Sequence, residues 1–167
     1  MKPALTVKPL AAEWVTSAAF EPFGQLIVPS EDGQPFSAED AQLSLDRGIP
    51  RFYIMRLPAK GLRFSRITRH QQCTQCLGAL NGKDWLMAVA PPSETPYPDL
   101  NQLMAFRISG DCFIKLHVGT WHAGPYFEHE FVDFYNLELS DTNLVDHQTH
   151  DFAVSHGLEF QLIVESR

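Results

Sequence analysis

Basic residues are in short supply in this sequence. Thirteen Lys and Arg stand against 20 Asp and Glu, a net charge of −7. That balance favours solubility and argues against nucleic acid as a partner, because a phosphate backbone demands a basic patch. It leaves room for a small anion, since Arg63, Arg66, Arg69 and Lys115 can make one pocket locally basic. Cysteine is scarce too. Cys73, Cys76 and Cys112 are an odd number and sit in no framework, which predicts a reducing, cytoplasmic setting. No apolar run approaches the ~18 residues of a membrane span, so no membrane association is expected. Met1 to Ala12 lacks the apolar core of a signal peptide and carries Lys2, Pro3, Lys8 and Pro9. Internal repeats and low-complexity blocks are missing as well.

What is there is strand texture. The 167 residues predict a single domain over 1–167. A chain of this length buries about 70% of its unfolded surface, enough for a core without staples. Leu10 to Phe20 reads as a short helix, with Leu10, Trp14, Val15 and Ala18 on one stripe. Gln25 to Val28 and Arg51 to Leu57 read as strands. Leu62 to His70 alternates, with Arg66, Thr68 and His70 on one face and Ile67 and Arg69 on the other. Gln75 to Leu80 is a strand closed by Asn81-Gly82, a hairpin signal. Trp85 to Ala90 is continuously apolar, which predicts burial on both faces. Asp99 caps a single helical turn, Ala105 to Ile108 and Phe131 to Leu139 are strands, Asp141 to His150 is a polar loop, and Phe160 to Val164 is a last strand. Many short strands with Gly and Pro turns and one early helix predict an all-β sandwich or barrel.

The chemistry concentrates in Gly110 to His122. Phe113, Lys115 and His117 share one strand face, Gly119 supplies a turn, and Trp121-His122 follows. Opposite it in the expected barrel stands His70-Gln71-Gln72-Cys73-Thr74-Gln75, then Gly82. Cys73-x-x-Cys76 has no second CxxC and no following helix, so it reads as two strand or turn thiols.

The His70–Gln75–Gly82 spacing resembles the first motif of the cupin superfamily, and Gly110, Gly119 and His122 resemble the second. Cupin motifs hold a metal on histidines and a glutamate. Here Thr68 stands where the first histidine belongs and Gln75 replaces the glutamate, leaving His70, Gln75 and His122 as conditional metal ligands. A metal site and a metal-free substrate site stand equally open on these residues. A more particular pattern combines Arg69-His70 with Thr74-Gln75, Leu116-His117 with Trp121-His122, and Val132-Asp133-Phe134. It resembles the ureidoglycolate lyase family, also called ureidoglycolate hydrolase. The resemblance implies a cupin barrel (a double-stranded β-helix or jelly roll), a homodimer, release of urea and glyoxylate, and an association with a divalent metal such as nickel.

The residues can be fitted to that chemistry. Ureidoglycolate carries a carboxylate, a hydroxyl and a ureido nitrogen on one carbon. Eliminating urea needs a base for the hydroxyl proton, an acid for the leaving nitrogen and a cation for the carboxylate. His70, His117 and His122 are acid–base candidates, with Lys115 on the His117 face and Asp133 either orienting a histidine or pairing with an arginine. Arg69 by resemblance, or Arg66 by strand alternation, would grip the carboxylate. Gln75 would position the hydroxyl and Trp121 stack over the substrate. An amidohydrolase on the same substrate, another small-acid cupin enzyme and a non-catalytic binding cupin are the competing readings.

Overall fold

Strand patterning governs the computed structural model, which describes residues 3–166. Among those residues two sheets carry the fold. The larger runs, in spatial order, β12 (Gln148–Asp151), β5 (Arg66–Arg69), β10 (Trp121–Tyr126), β7 (Gly82–Ala90), β8 (Met104–Gly110), β1 (Thr6–Trp14), β13 (Leu158–Val164) and β4 (Arg63–Phe64). The smaller runs β2 (Gly24–Ile27), β9 (Phe113–Leu116), β6 (Gln75–Ala79), β11 (Phe131–Leu139) and β3 (Pro50–Pro58). The larger sheet curls until β4 joins β5 through Ser65 alone. The result is an all-β, cupin-like barrel.

Strand β7 shows why the sheets stack. Trp85, Met87 and Val89 face the smaller sheet, packing with Leu77, Ile114, Val132 and Phe134. Leu86, Ala88 and Ala90 face the other way, into the curl of the larger sheet, with Ile67, Trp121 and Phe160. The run is apolar throughout because neither face meets water. Each large apolar side chain so buried contributes about 1.5–3 kcal/mol, whereas an exposed ion pair contributes about 0–1 kcal/mol. The two cores therefore hold the sheets together.

Four sequence expectations need correction. Leu10 to Phe20 is not one helix: Thr6–Trp14 is strand β1, and only Ser17–Phe20 is helical (α1), capped by Thr16 Oγ1 on the Ala19 N–H at 3.2 Å. Ala12 is fully buried between Leu10 and Trp14, a period of two rather than a helical stripe. Its parallel partners, β8 and β13, lie far along the chain, so nothing local announces them. The alternation from Leu62 to His70 breaks at Ser65. Phe64 and Ile67, three residues apart, enter the same core, while Arg66 and Thr68 remain opposite Ile67 and Arg69. The polar stretch Asp141 to His150 contains a helical turn, α2 (Thr142–Val145), and the start of β12. Asn81-Gly82 takes positive φ at both positions, 61° and 66°, but closes no hairpin: it is a turn that carries the chain from β6 in the smaller sheet to β7 in the larger, and the two strands do not pair. The other strands read from the pattern are present, and β10 is an addition to them.

Candidate active site

His70 and His122 meet on the inner face of the larger sheet, where β5 and β10 run antiparallel with Thr68 opposite His122. Their ring centroids are 5.0 Å apart. Gly119, at φ 86°, turns the chain between β9 and β10, and its N–H donates to the His70 carbonyl at 2.7 Å, tying the two motifs together. A backbone carbonyl fixes the tautomer of each ring. His70 Nδ1–H donates to Asp146 O at 2.6 Å, and His122 Nδ1–H donates to Thr120 O at 3.4 Å. Both Nε2 atoms therefore carry lone pairs. The Asp146 carboxylate holds the turn after His70 by accepting the Gln71 and Gln72 N–H groups at 2.7 and 2.8 Å. Burial lowers the His70 pKa, and burial together with His70 pushes His122 down to about 3. Both rings are neutral at physiological pH.

The facing wall comes from the smaller sheet. Gln75 heads β6, and its Nε2 donates to Asn136 Oδ1 at 3.0 Å and to Glu138 Oε2 at 3.3 Å. Tyr53 donates to Glu138 Oε1 at 3.3 Å and accepts from Asn136 Nδ2 at 3.0 Å. Tyr53 lies opposite Asn136 and Arg51 opposite Glu138 in the β3–β11 register, and the Arg51 guanidinium stacks 3.7 Å from the Tyr53 ring centre. Burial raises the Glu138 carboxyl, with Tyr53 and Arg51 opposing it. Gln75 Oε1 is buried and has no hydrogen-bond partner among the described residues. His70, Gln75, His117, His122, Cys73 and Thr120 line one narrow space between the sheets.

A model of the ureidoglycolate lyase family matches residues 7–156. The chain belongs to that family. It is similar to the ureidoglycolate lyase of Azotobacter vinelandii, 28% identical over 126 residues that span 68% of this chain and 74% of that protein. It is likewise similar to the ureidoglycolate lyase of Pseudomonas paraeruginosa, 28% identical over 130 residues that span 70% of this chain and 75% of that one.

Not all residues expected to act in a ureidoglycolate lyase reach the histidine pair. Arg69 lies on the opposite strand face, 4.4 Å over the Trp121 ring, and donates to Gln148 Oε1 at 2.9 Å and Ser93 O at 2.8 Å. Trp121 is fully buried in the curl of the larger sheet and donates to Ser93 Oγ at 3.0 Å. Both side chains lie on the strand face turned away from the histidine pair. Arg66 shares the His70 face but is exposed and paired with Asp151 at 3.2 Å, its cross-strand neighbour. Lys115 points away from the barrel interior, since Ile114 and Leu116 occupy the inner face of β9, whereas His117, just past the strand end, borders the space beside His70 and His122. His117 Nε2–H donates to Glu21 O at 3.0 Å, so its Nδ1 accepts from Lys115 Nζ at 3.0 Å. Both ring nitrogens are engaged, and burial lowers the His117 pKa. Asp133 takes the second of its two expected roles: Arg56 grips it at 2.8 and 2.9 Å, and β11 turns it to the outside.

The hydrogen-bond network behind Gln75 includes three further side chains that were not singled out in the sequence. Glu138 and Asn136 end the inner face of β11 after Val132 and Phe134, and two polar residues finishing an apolar face were the available signal. Tyr53 is their partner on β3. His147, read as a loop residue, brings its ring within 5.6 Å of His70. The thiols are separate: Cys73 is buried beside Thr142, while Cys76 lies across from Lys115 on the outer face with its pKa raised by burial to about 11.

Proposed function

We propose that the chain, acting as one domain, eliminates urea from ureidoglycolate to give glyoxylate at the His70–His122 pair. The observation that carries this reading is the pair itself, together with the family: two neutral imidazoles, each with Nδ1–H committed to a carbonyl, present free Nε2 atoms beside the unsatisfied Gln75 oxygen. One Nε2 takes the hydroxyl proton. The carbon–oxygen double bond forms, the carbon–nitrogen bond breaks, and the leaving ureido nitrogen takes a proton. Burial makes a protonated His122 a strong acid, so the proton gained from the hydroxyl is readily passed to that nitrogen. The rings are too close to be charged together, so one proton serves the pair. Arg51, on the inner face at the barrel rim, takes the place assigned to Arg69 as the cation for the carboxylate.

These donors also fit a divalent cation. His70 Nε2, His122 Nε2 and Gln75 Oε1 would hold it, and it would polarise the substrate oxygen. Among the described residues no cluster of three His, Cys, Asp or Glu side chains offers an alternative site. The same atoms act as base and hydrogen-bond acceptor when no metal is bound. We further propose a homodimer in the cytoplasm. Phe52, Ile54 and Tyr135 expose an apolar patch on the outer face of the smaller sheet, 69%, 57% and 47% accessible, with Phe52 stacked on Tyr135 at 5.8 Å. No helix among the described residues is long and apolar enough to cross a membrane.

The test is His122→Ala and His70→Ala, assayed for glyoxylate with chelator and with added divalent metal. Both variants should keep the wild-type circular dichroism and lose at least about a hundredfold in kcat, the scale of general acid–base catalysis. Turnover surviving in either folded variant contradicts the assignment. Loss of wild-type activity in chelator with recovery on metal addition makes the three donors ligands, and indifference makes them proton and hydrogen-bond groups.

A further inference from the structure

The ring of hydrogen bonds joining Gln75, Asn136, Tyr53 and Glu138 has a forced direction. A carboxylate only accepts. Tyr53 must therefore donate its O–H to Glu138, so its oxygen accepts from Asn136 Nδ2. Asn136 is then left with Oδ1 toward Gln75, and Gln75 must present Nε2. The second Nε2 hydrogen goes to Glu138 again. Both amide hydrogens are used, and Gln75 Oε1 is left over, buried and unpartnered. Rotating the amide by half a turn would replace two hydrogen bonds with oxygen–oxygen repulsions against Asn136 and Glu138.

We infer that Glu138 is a positioning residue, which locks the Gln75 amide so that Oε1 presents a fixed acceptor to the ureido N–H on the reacting carbon, the hydroxyl proton being the one the histidine base takes. The assignment rests on the reading above that the space beside His70 and His122 receives the ligand. An oxygen there selects for a ligand that donates a hydrogen bond. A nitrogen in its place would repel that donor, and a free-rotating amide would offer either. The other groups facing Glu138 are consistent with a carboxylate: Arg51 and Tyr53 from β3, and Gln75 from β6. Replacing Glu138 by Gln removes the constraint. The amide that Glu138→Gln introduces can donate to Tyr53, which turns the Tyr53 proton toward Asn136 and the Asn136 amide toward Gln75, consuming Oε1.

Two measurements test this. The first is the NMR signature of the Gln75 side-chain amide, assigned by its loss in Gln75→Ala. In the wild type both Nε2 hydrogens should exchange slowly with solvent, and Glu138→Gln should move both resonances. Unmoved resonances overturn the inference. The second is kinetic. Glu138→Gln should lower kcat by about tenfold or more, one hydrogen bond's worth at the transition state. The swapped pair Glu138→Gln with Gln75→Glu should recover most of the loss, because a carboxylate at position 75 shows an oxygen to the ligand in either orientation. A folded double variant no better than Glu138→Gln overturns the positioning role. Tyr53→Phe gives a check independent of how Glu138→Gln folds. It keeps both acceptors of Gln75 and should keep kcat within about threefold, less than one lost hydrogen bond; a loss as deep as that of Gln75→Ala overturns the inference. If the wild type releases no urea from ureidoglycolate, the lyase reading fails while the amide resonances still decide the role of Glu138.

Discussion

At the residue scale, the site depends on which nitrogen carries the proton. His70 and His122 give their Nδ1–H to carbonyls and are held neutral by burial. This has a consequence for stability. The folded His122 pKa, about 3, lies far below the ordinary value of 6.5. A depressed pKa contributes stability above 6.5 that is lost as pH falls through the folded value, because the unfolded chain takes up the proton first. Urea midpoints measured in chelator should therefore fall steadily from pH 6.5 toward 3 and fall less in His122→Asn. A flat profile in the wild type contradicts a neutral, buried His122. Asp133 carries the opposite expectation. It and Arg56 form a pair on the outer face, so Asp133→Asn should leave kcat within about twofold and leave the urea midpoint nearly unchanged. The pairing of His70 with His122 was legible from motif spacing. The turning away of Arg69 was legible too, since alternation put it opposite His70; family likeness pointed the other way, and the strand geometry prevailed.

At the scale of elements, alternation reveals two faces of a strand but not which one is inside. Lys115 turns outward on β9 because Ile114 and Leu116 take the interior, where the smaller sheet stacks its apolar side on β7, and the alternation stops before His117, past the strand end. Lys115 is then buried at 3% exposure with a neutral imidazole as its hydrogen-bonding partner. A buried cation without an anion is costly. Lys115→Met, which keeps the alkyl volume, should leave kcat unchanged and leave the melting temperature equal or higher; a loss of kcat would place Lys115 in the reaction. Strand β1 was illegible for another reason. Leu10 and Trp14, four residues apart, suit strand and helix alike, and only pairing with β8 and β13 decides between them. Close approach of β2 to β9 is stricter still. A Cβ on Gly24 would run into the Lys115 carbonyl. Gly24→Ala should destabilise by about 2 kcal/mol or more in chemical denaturation, as overpacking does.

At the scale of the whole molecule, the barrel pairs an inner space with an apolar patch on its outer face. The inner space holds the histidine pair, Gln75 and the carboxylate that fixes it. The outer face carries Phe52, Ile54 and Tyr135, beside the open edge of β3 with Pro50 and Pro58 at its two ends. Phe52→Glu should convert the dimer to a monomer in sedimentation velocity while the barrel stays folded, and a wild type already monomeric would rule the dimer out. The cores were foreseeable because β7 is apolar on both faces; the network around Glu138 was not, because it joins β3, β6 and β11 across a sheet whose order no local pattern states. On the proposed mechanism this inner space splits ureidoglycolate without hydrolysing it. The measurement that tests this most directly is product stoichiometry from purified protein: urea, glyoxylate and ammonia counted in one reaction. Equal urea and glyoxylate with no ammonia is the predicted result. Ammonia in place of urea, or no product at all, would contradict it.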